Sequence, residues 1–260
     1  MRDEVWRVRT QTLRASVASG GVVELGDVQR ARRDPGLVVL EGFHAVKHAV
    51  RFGAELLGVW TADADELTAL SARLAPDVVL SPTVVELSEL AAVVPRAQVI
   101  ALARRPRQPD PDGILALPGP EPVVLLEAPR HLGNLGAAVR VAAAAGAAGV
   151  ITTGVQDPWH ADALRGSAGL HFALPVARSR MVRTGDRPLI ALDPEGAVLA
   201  PGVLPPRALL AFGTERDGLT DELLAMADAR IALPMRPGVS SLNLATAVSA
   251  VLYLAAAHRA

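Results

Sequence analysis

Gly213-Thr214-Glu215-Arg216-Asp217-Gly218-Leu219, followed by Leu233-Pro234-Met235 and then by Ser240-Ser241-Leu242-Asn243, decides the reading of this chain. Together these stretches set a carboxylate, a proline-fixed strand end and a polar helix start close together in sequence. In an open α/β sheet such strand-to-loop positions are where ligands collect. Upstream, Gly133-Asn134-Leu135-Gly136 and Arg140 occupy the equivalent place after an earlier apolar run.

The chain has 260 residues, of which 50% are hydrophobic and only 3% aromatic. A sizeable core is therefore expected, filled by Ala, Val and Leu, which suits helices packed tightly on sheets. Lys47 is the only lysine, so nearly all positive charge is arginine, and the net charge is −1. That balance gives no bulk attraction to phosphate, and RNA binding needs a local basic surface. The absence of cysteine excludes a disulfide framework, a thiolate nucleophile and a cysteine zinc site. The N-terminal residues lack the apolar core of a signal peptide. The most apolar run, Leu242 to Ala257, is shorter than a membrane span and carries Asn243, Thr246 and Ser249. A cytoplasmic protein with no membrane association is the expectation.

Working outward, residues 1–35 read as a helical and loop extension. Gly36 to Leu40 reads as a short strand after a Pro-Gly turn, with a helix over Gly42 to Phe52. Strands are expected at Leu56 to Trp60, Asp77 to Leu80 and Gln98 to Ala103, alternating with helices at Ala64 to Leu74 and Thr83 to Ala91. This is a small α/β unit over 36–108. The proline-rich stretch Arg104 to Gly113 disfavours helix and central strand alike and marks a boundary, with a linker over 109–119. From 120 to 260 the pattern is strand Val123 to Glu127, helix Leu135 to Ala145, strand Gly149 to Thr153 and a mixed segment through Val176. Strands then follow near Pro188 to Leu192 and Ala208 to Phe212, with helix Asp221 to Ala227, strand Arg230 to Pro234 and a closing helix. The alternation predicts an α/β fold with a mostly parallel sheet and helices on both faces.

Each polar residue in this frame has an ordinary role beside a functional one. Asn134 can cap the helix that follows it, and its neighbouring glycines permit close backbone approach. Arg140 interrupts an alanine- and valine-rich helix, where it is either solvent-facing or held for a ligand. Glu215 is either a turn acid or a carboxylate aimed at a site. Ser240 or Ser241 can cap the last helix, leaving Asn243 a second polar contact in its first turn. His44 and His48 share a helical face, but the zinc pattern is incomplete and no metal is expected. With Lys47 and Arg51 they form a partly basic face that is either solvated or touches phosphate.

The ordered set resembles the TrmH, or SpoU, branch of the SPOUT RNA methyltransferases. It is carried by Pro129 through Arg140, by Phe212 through Leu219, and by Leu233-Pro234-Met235 through Ser241-Leu242-Asn243, with Asp157-Pro158 and Leu164 through Gly169 between them. The first unit is more loosely similar to the family's RNA substrate-binding domain at Leu40-Glu41-Gly42 and the helix after it. The resemblance implies a C-terminal SPOUT domain with a trefoil knot, preceded by a small α/β substrate-binding domain. It further implies S-adenosyl-L-methionine as cofactor, bound by Leu192, Gly213, Leu233 and Leu242, and a homodimer whose active sites draw on both subunits. Asn134, Arg140, Glu215, Ser241 and Asn243 become the catalytic set, with His44, Lys47, Arg51 and Arg165 for RNA. Arg216, and Leu244-Ala245-Thr246, depart from the common pattern and bear on substrate preference.

The implied reaction is methyl transfer to a ribose 2′-hydroxyl of rRNA or tRNA. Arginine is normally protonated, so Arg140 is expected to orient and stabilise charge rather than abstract a proton. A catalytically silent RNA-binding protein of the same fold is the alternative, disfavoured by the retained polar set. A Rossmann-type nucleotide-binding enzyme is the other, disfavoured because the G-x-G-x-x-G spacing is absent.

Overall fold

Alternating apolar runs and helix-period segments produce a four-stranded and a six-stranded sheet of different construction, beside a short parallel pair, Leu13–Arg14 with Val78–Val79. The computed structural model describes residues 13–14, 23–200, 202–214 and 217–259. Most of the expected N-terminal extension, together with Glu215 and Arg216, lies outside the described residues. The chain divides into units at Arg104 and Arg105.

In the first unit the elements are β1 (Leu13–Arg14), α1 (Asp27–Ala31), β2 (Leu37–Glu41), α2 (Phe43–Arg51), β3 (Leu56–Thr61), α3 (Ala64–Leu74), β4 (Val78–Val79), β5 (Thr83–Val84), α4 (Leu87–Val93) and β6 (Val99–Arg104). Four strands form a mixed sheet in the order β2-β6-β3-β5, with β6 antiparallel to both neighbours. The helix expected over Thr83 to Ala91 is corrected at its start. Thr83 and Val84 pair with Trp60 and Thr61, because two β-branched residues extend a sheet edge more readily than they begin a helix.

Helix α2 is less cationic at its surface than its sequence suggests. Lys47 is buried, with its ammonium 5.9 Å from the Phe43 ring centroid. Arg51 makes a two-pronged ion pair with Asp77, which holds the Asp77 carboxyl below its usual range and the guanidinium above its own. Of these candidate RNA contacts, His44 alone is exposed.

The second unit contains α5 (Pro111–Leu115), β7 (Val123–Leu126), α6 (Leu132–Ala144), β8 (Gly149–Thr152), α7 (Ala161–Gly166), a 3₁₀ turn at Leu170–Ala173 and β9 (Val176–Arg178). It continues with β10 (Leu189–Val198), β11 (Leu209–Phe212), α8 (Asp221–Met226), β12 (Ala229–Ala232) and α9 (Leu244–Arg259). Six strands form a sheet in the order β12-β10-β11-β7-β8-β9, and every pairing is parallel. Strands β7, β8 and β11 are wholly buried, as parallel strands covered on both faces must be. Chain order reverses between β7 and β11, so a switch point opens at the carboxyl ends.

Three expectations for this unit change. The stretch expected to be a linker contains α5, because Pro111 sits at the helix start, where it loses no hydrogen bond. There Asp110 caps the Gly113 N–H at 2.7 Å, and Ile114 and Leu115 are buried in the core. The mixed segment runs into a strand, β9, which starts at Val176 and is too short to register as a periodic pattern. Strand β10 is longer than expected and irregular: Leu192 and Ala197 are both in register with Ile231, with Asp193 to Gly196 looped out between them.

Arg187, which carried no signal in the sequence, fastens the start of this unit. It is 2% exposed, and its guanidinium donates to the carbonyls of Leu115, Glu121, Arg207 and Leu117 at 2.7–3.1 Å. Among the described residues, no helix is long and apolar enough to cross a membrane.

Candidate active site

Strands β10, β11 and β12 end side by side, and a cavity of about 570 Å³ opens at their carboxyl ends against the start of α9. Leu192, Gly213, Leu233, Ser241 and Leu242 all lie in its wall. Phe212 and Ile231 extend the apolar lining, while Asp193, Glu195, Asp217 and Asp221 bring carboxylates to it. Arg230 stands 3.6 Å from Asp193. The volume falls in the range that holds a nucleoside-sized ligand.

Gly213 is required by the protein's own backbone. A Cβ there would lie 2.0 Å from the Gly218 carbonyl carbon, because residues 214 and 218 bond reciprocally and fold the loop onto the strand end. A close approach of chain to chain, rather than chain to ligand, explains this glycine.

The polar residues are distributed differently from the sequence reading. Helix α6 starts at Leu132, three residues earlier than expected, and its N-cap position, His131, makes no side-chain cap. Asn134 therefore sits within the helix instead of capping it. Its Oδ1 accepts from Asn243 Nδ2 at 3.1 Å, joining two segments 109 residues apart. Asn243, in place of either serine, caps α9: its Oδ1 accepts from the Ala245 N–H at 3.0 Å. Ser240 and Ser241 are left exposed in the cavity wall. Neither asparagine lines the cavity itself.

Arg140 is exposed, on the α6 stripe formed with Gly133, Ala137 and Ala144, and does not line the cavity. Glu215 lies outside the described residues. Arg165 is exposed and pairs with Asp162 at 2.7 Å. His44, Lys47 and Arg51 belong to the first unit.

Glycines also set the position of α6. A Cβ on Gly136 would fall 2.1 Å from the Ala163 carbonyl oxygen, and one on Gly166 would fall 2.7 Å from the Gly133 oxygen, so α6 and α7 touch backbone to backbone. Beneath this contact, Ser167 Oγ and His171 Nδ1 are 2.7 Å apart, both fully buried. Burial pushes the His171 pKa down to about 3. Asp157 accepts two bonds from Arg105, at 2.8 and 2.9 Å, and one from the Trp159 N–H at 3.1 Å. Burial raises its pKa, but these donors outweigh burial and hold the carboxyl below its usual range. The Asp157-Pro158 pair thus anchors the loop after β8.

The wall carboxylates Asp193 and Glu195 were missed by sequence reasoning. Their signal was Asp193-Pro194-Glu195-Gly196, a turn-forming string directly after an apolar run.

The SpoU rRNA Methylase family model matches residues 121–253. The 23S rRNA (adenosine(1067)-2′-O)-methyltransferase of Streptomyces azureus is 28% identical over 254 residues, spanning 92% of this chain and 93% of that one. An uncharacterised tRNA/rRNA methyltransferase of Synechocystis is 31% identical over 240 residues, 86% of this chain and 85% of its own length. The SpoU methyltransferase AviRb from Streptomyces viridochromogenes, solved with AdoMet, shares the fold with a TM-score of 0.73 at 23% identity, over 90% of this chain and 98% of that one. A solved RNA 2′-O ribose methyltransferase gives a TM-score of 0.73 at 25% identity, over 95% and 99%. With its parallel sheet, its strand-end cavity and a family match across the second unit, this chain belongs to the SpoU rRNA methylase family.

Proposed function

We propose that the protein transfers a methyl group from S-adenosyl-L-methionine to a ribose 2′-hydroxyl of RNA. The observation that carries this reading is the cavity at the ends of β10, β11 and β12, in a chain of the SpoU family. The lining residues fit the cofactor: Leu192, Leu233 and Leu242 supply apolar walls for its base, and the wall carboxylates suit its hydroxyls and positive charge. When bound, the cofactor supplies an electrophilic methyl group on a sulfonium.

The chain's own residues then have to position a hydroxyl. The Asn134–Asn243 bond fixes α6 against the start of α9, immediately beside the wall residues Ser241 and Leu242. Positioning of this kind supplies much of the rate in a displacement reaction. Arg140 holds the RNA phosphate or stabilises charge at the hydroxyl, and we assign it to the site of a second copy of the chain. Two features support a homodimer with composite sites: Arg140 stays outside its own cavity, and α6 and α9 each leave a face uncovered, with Gly133, Arg140 and Ala144 exposed on one and Thr246, Ala250, Tyr253 and Ala257 on the other. A trefoil knot is supported by the double register of Leu192 and Ala197 on Ile231, with Ser240, Ser241, Leu242 and Leu244 lining the cavity beside that loop. Glu215 completes the catalytic set, the first unit serves as the RNA substrate-binding domain, and the place of action is the cytoplasm.

Ribosomal RNA is the favoured substrate, since the named relative from Streptomyces azureus acts on 23S rRNA across nearly the same span. Incubation with labelled S-adenosylmethionine and separate rRNA and tRNA pools, followed by mass spectrometry of the nucleosides, tests this. A 2′-O-methylated nucleoside is expected, and methylation of bases alone overturns the ribose assignment.

A further inference from the structure

A continuous line of contacts leads from the cavity across the carboxyl edge of the second unit's sheet. Asp217, in the cavity wall, pairs with Arg130 on the loop after β7. The Arg130 carbonyl accepts from Gln156 Nε2 at 3.4 Å on the loop after β8. At the end of β9, Arg178 Nη1 donates to the Val155 carbonyl at 2.8 Å. That bond pins the Val155 backbone and leaves its side chain 88% exposed, more than any other large apolar side chain among the described residues.

On a chain of net charge −1, this strip is a local excess of positive charge: Arg130, Arg178 and Arg180 are exposed along it, with His131 beside them. Arg130 and Asp217 are each more than half exposed, and an ion pair in that setting holds weakly. A phosphate can therefore take the place of Asp217 at little cost. A single apolar tip between arginines matches an unstacked base with its flanking phosphates. It lacks the broad apolar centre that a protein interface needs.

We propose that this strip docks the single-stranded RNA segment flanking the target nucleotide, with a phosphate displacing Asp217 from Arg130 and an unstacked base lying against Val155. The inference rests on the RNA methyl-transfer reading above and adds the path by which substrate reaches that site.

Arg130→Ala and Val155→Asp, each in the full chain, test the strip against the wild type. Both side chains are exposed, and melting temperatures within a degree or so of the wild type check that the variants are folded. S-adenosylmethionine binding is measured by calorimetry, and binding of protein-free 23S rRNA by filter retention across a salt series. The expected result is unchanged cofactor affinity, RNA binding roughly ten-fold weaker in each variant, and a log–log salt slope lower by about one for Arg130→Ala. Unchanged RNA affinity and salt slope in both variants, beside a wild type that binds cofactor and RNA, overturn the strip and leave the methyl-transfer reading standing. A wild type that takes up no cofactor overturns that reading and the strip with it.

Discussion

Asn243 holds two segments of the site at once: its Oδ1 caps α9 through the Ala245 N–H, and its Nδ2 donates to Asn134 on α6. One side chain thereby couples the start of the closing helix to the first motif, 109 residues upstream. Stability and positioning meet in one residue, and substitutions can separate them.

Asn243→Ser retains a capping oxygen but is too short to reach Asn134, whereas Asn243→Ala loses both contacts. Thermal melts should place the serine variant near the wild type and the alanine variant about 1 kcal/mol lower in stability. Turnover should fall roughly a hundred-fold in Asn243→Ser and in Asn134→Ala alike, with the double variant no worse than either. Additive losses in single-turnover assays would show that the two asparagines act independently.

Gly133 and Gly136 are three residues apart but should respond to alanine in opposite ways. Space around Gly133 is open, and an exposed helical glycine replaced by alanine gains up to about 1 kcal/mol. At Gly136 the added carbon meets the Ala163 carbonyl oxygen, α6 and α7 must separate, and a loss of roughly 1–3 kcal/mol is expected. Urea denaturation of the two variants measures both signs, and equal effects would discount the backbone contact.

His171 should give the protein an acid-sensitive limb. Its folded-state pKa, about 3, lies below the ordinary 6.5, chiefly through burial, with the Arg105 charge acting the same way and Asp157 opposing it. The unfolded chain therefore takes up the extra proton first. Stability from this residue is complete above about pH 6.5 and declines as pH falls toward 3. His171→Leu should flatten the pH dependence of denaturation across that window. A slope identical to the wild type would assign the acid limb to other groups.

Arg140→Ala should abolish turnover while calorimetry shows cofactor uptake intact, because the side chain stands outside its own cavity. Leu233→Arg should block the cavity and abolish cofactor uptake and turnover together. If active sites are shared between copies, mixing and refolding the two inactive variants restores about a quarter of wild-type activity, since half the dimers carry one intact site of two. No recovery in a mixture shown to contain mixed dimers would confine each site to one chain.

The parallel character of the second unit was legible in its apolar runs, since β7, β8 and β11 are buried on both faces; β7 and β11 read as unbroken strings of Val, Leu, Ala and Phe, and β8 adds Val150-Ile151 between Gly149 and Thr152. Short or mixed pieces were not. Strand β9 has three residues, and α5 hides among prolines that usually prohibit helix. The cavity wall was legible at strand ends, where Gly213 and Leu233 follow apolar runs directly.

By itself the sequence determined the alternation of strands and helices, and the placing of Leu192, Gly213, Leu233 and Leu242 where strands or their connections run out. The first follows from local periodicity, which each short segment carries in full, and the second from the resemblance of their motifs to the SpoU family. Only the tertiary structure decided that Asn243 caps in place of the serines, that Lys47 is buried and Arg51 pairs with Asp77, and that Arg140 is exposed outside the lining of its own cavity. Those outcomes depend on which distant backbone and side chains arrive within a few ångströms, and hydrogen bonds and buried charges are settled by that company.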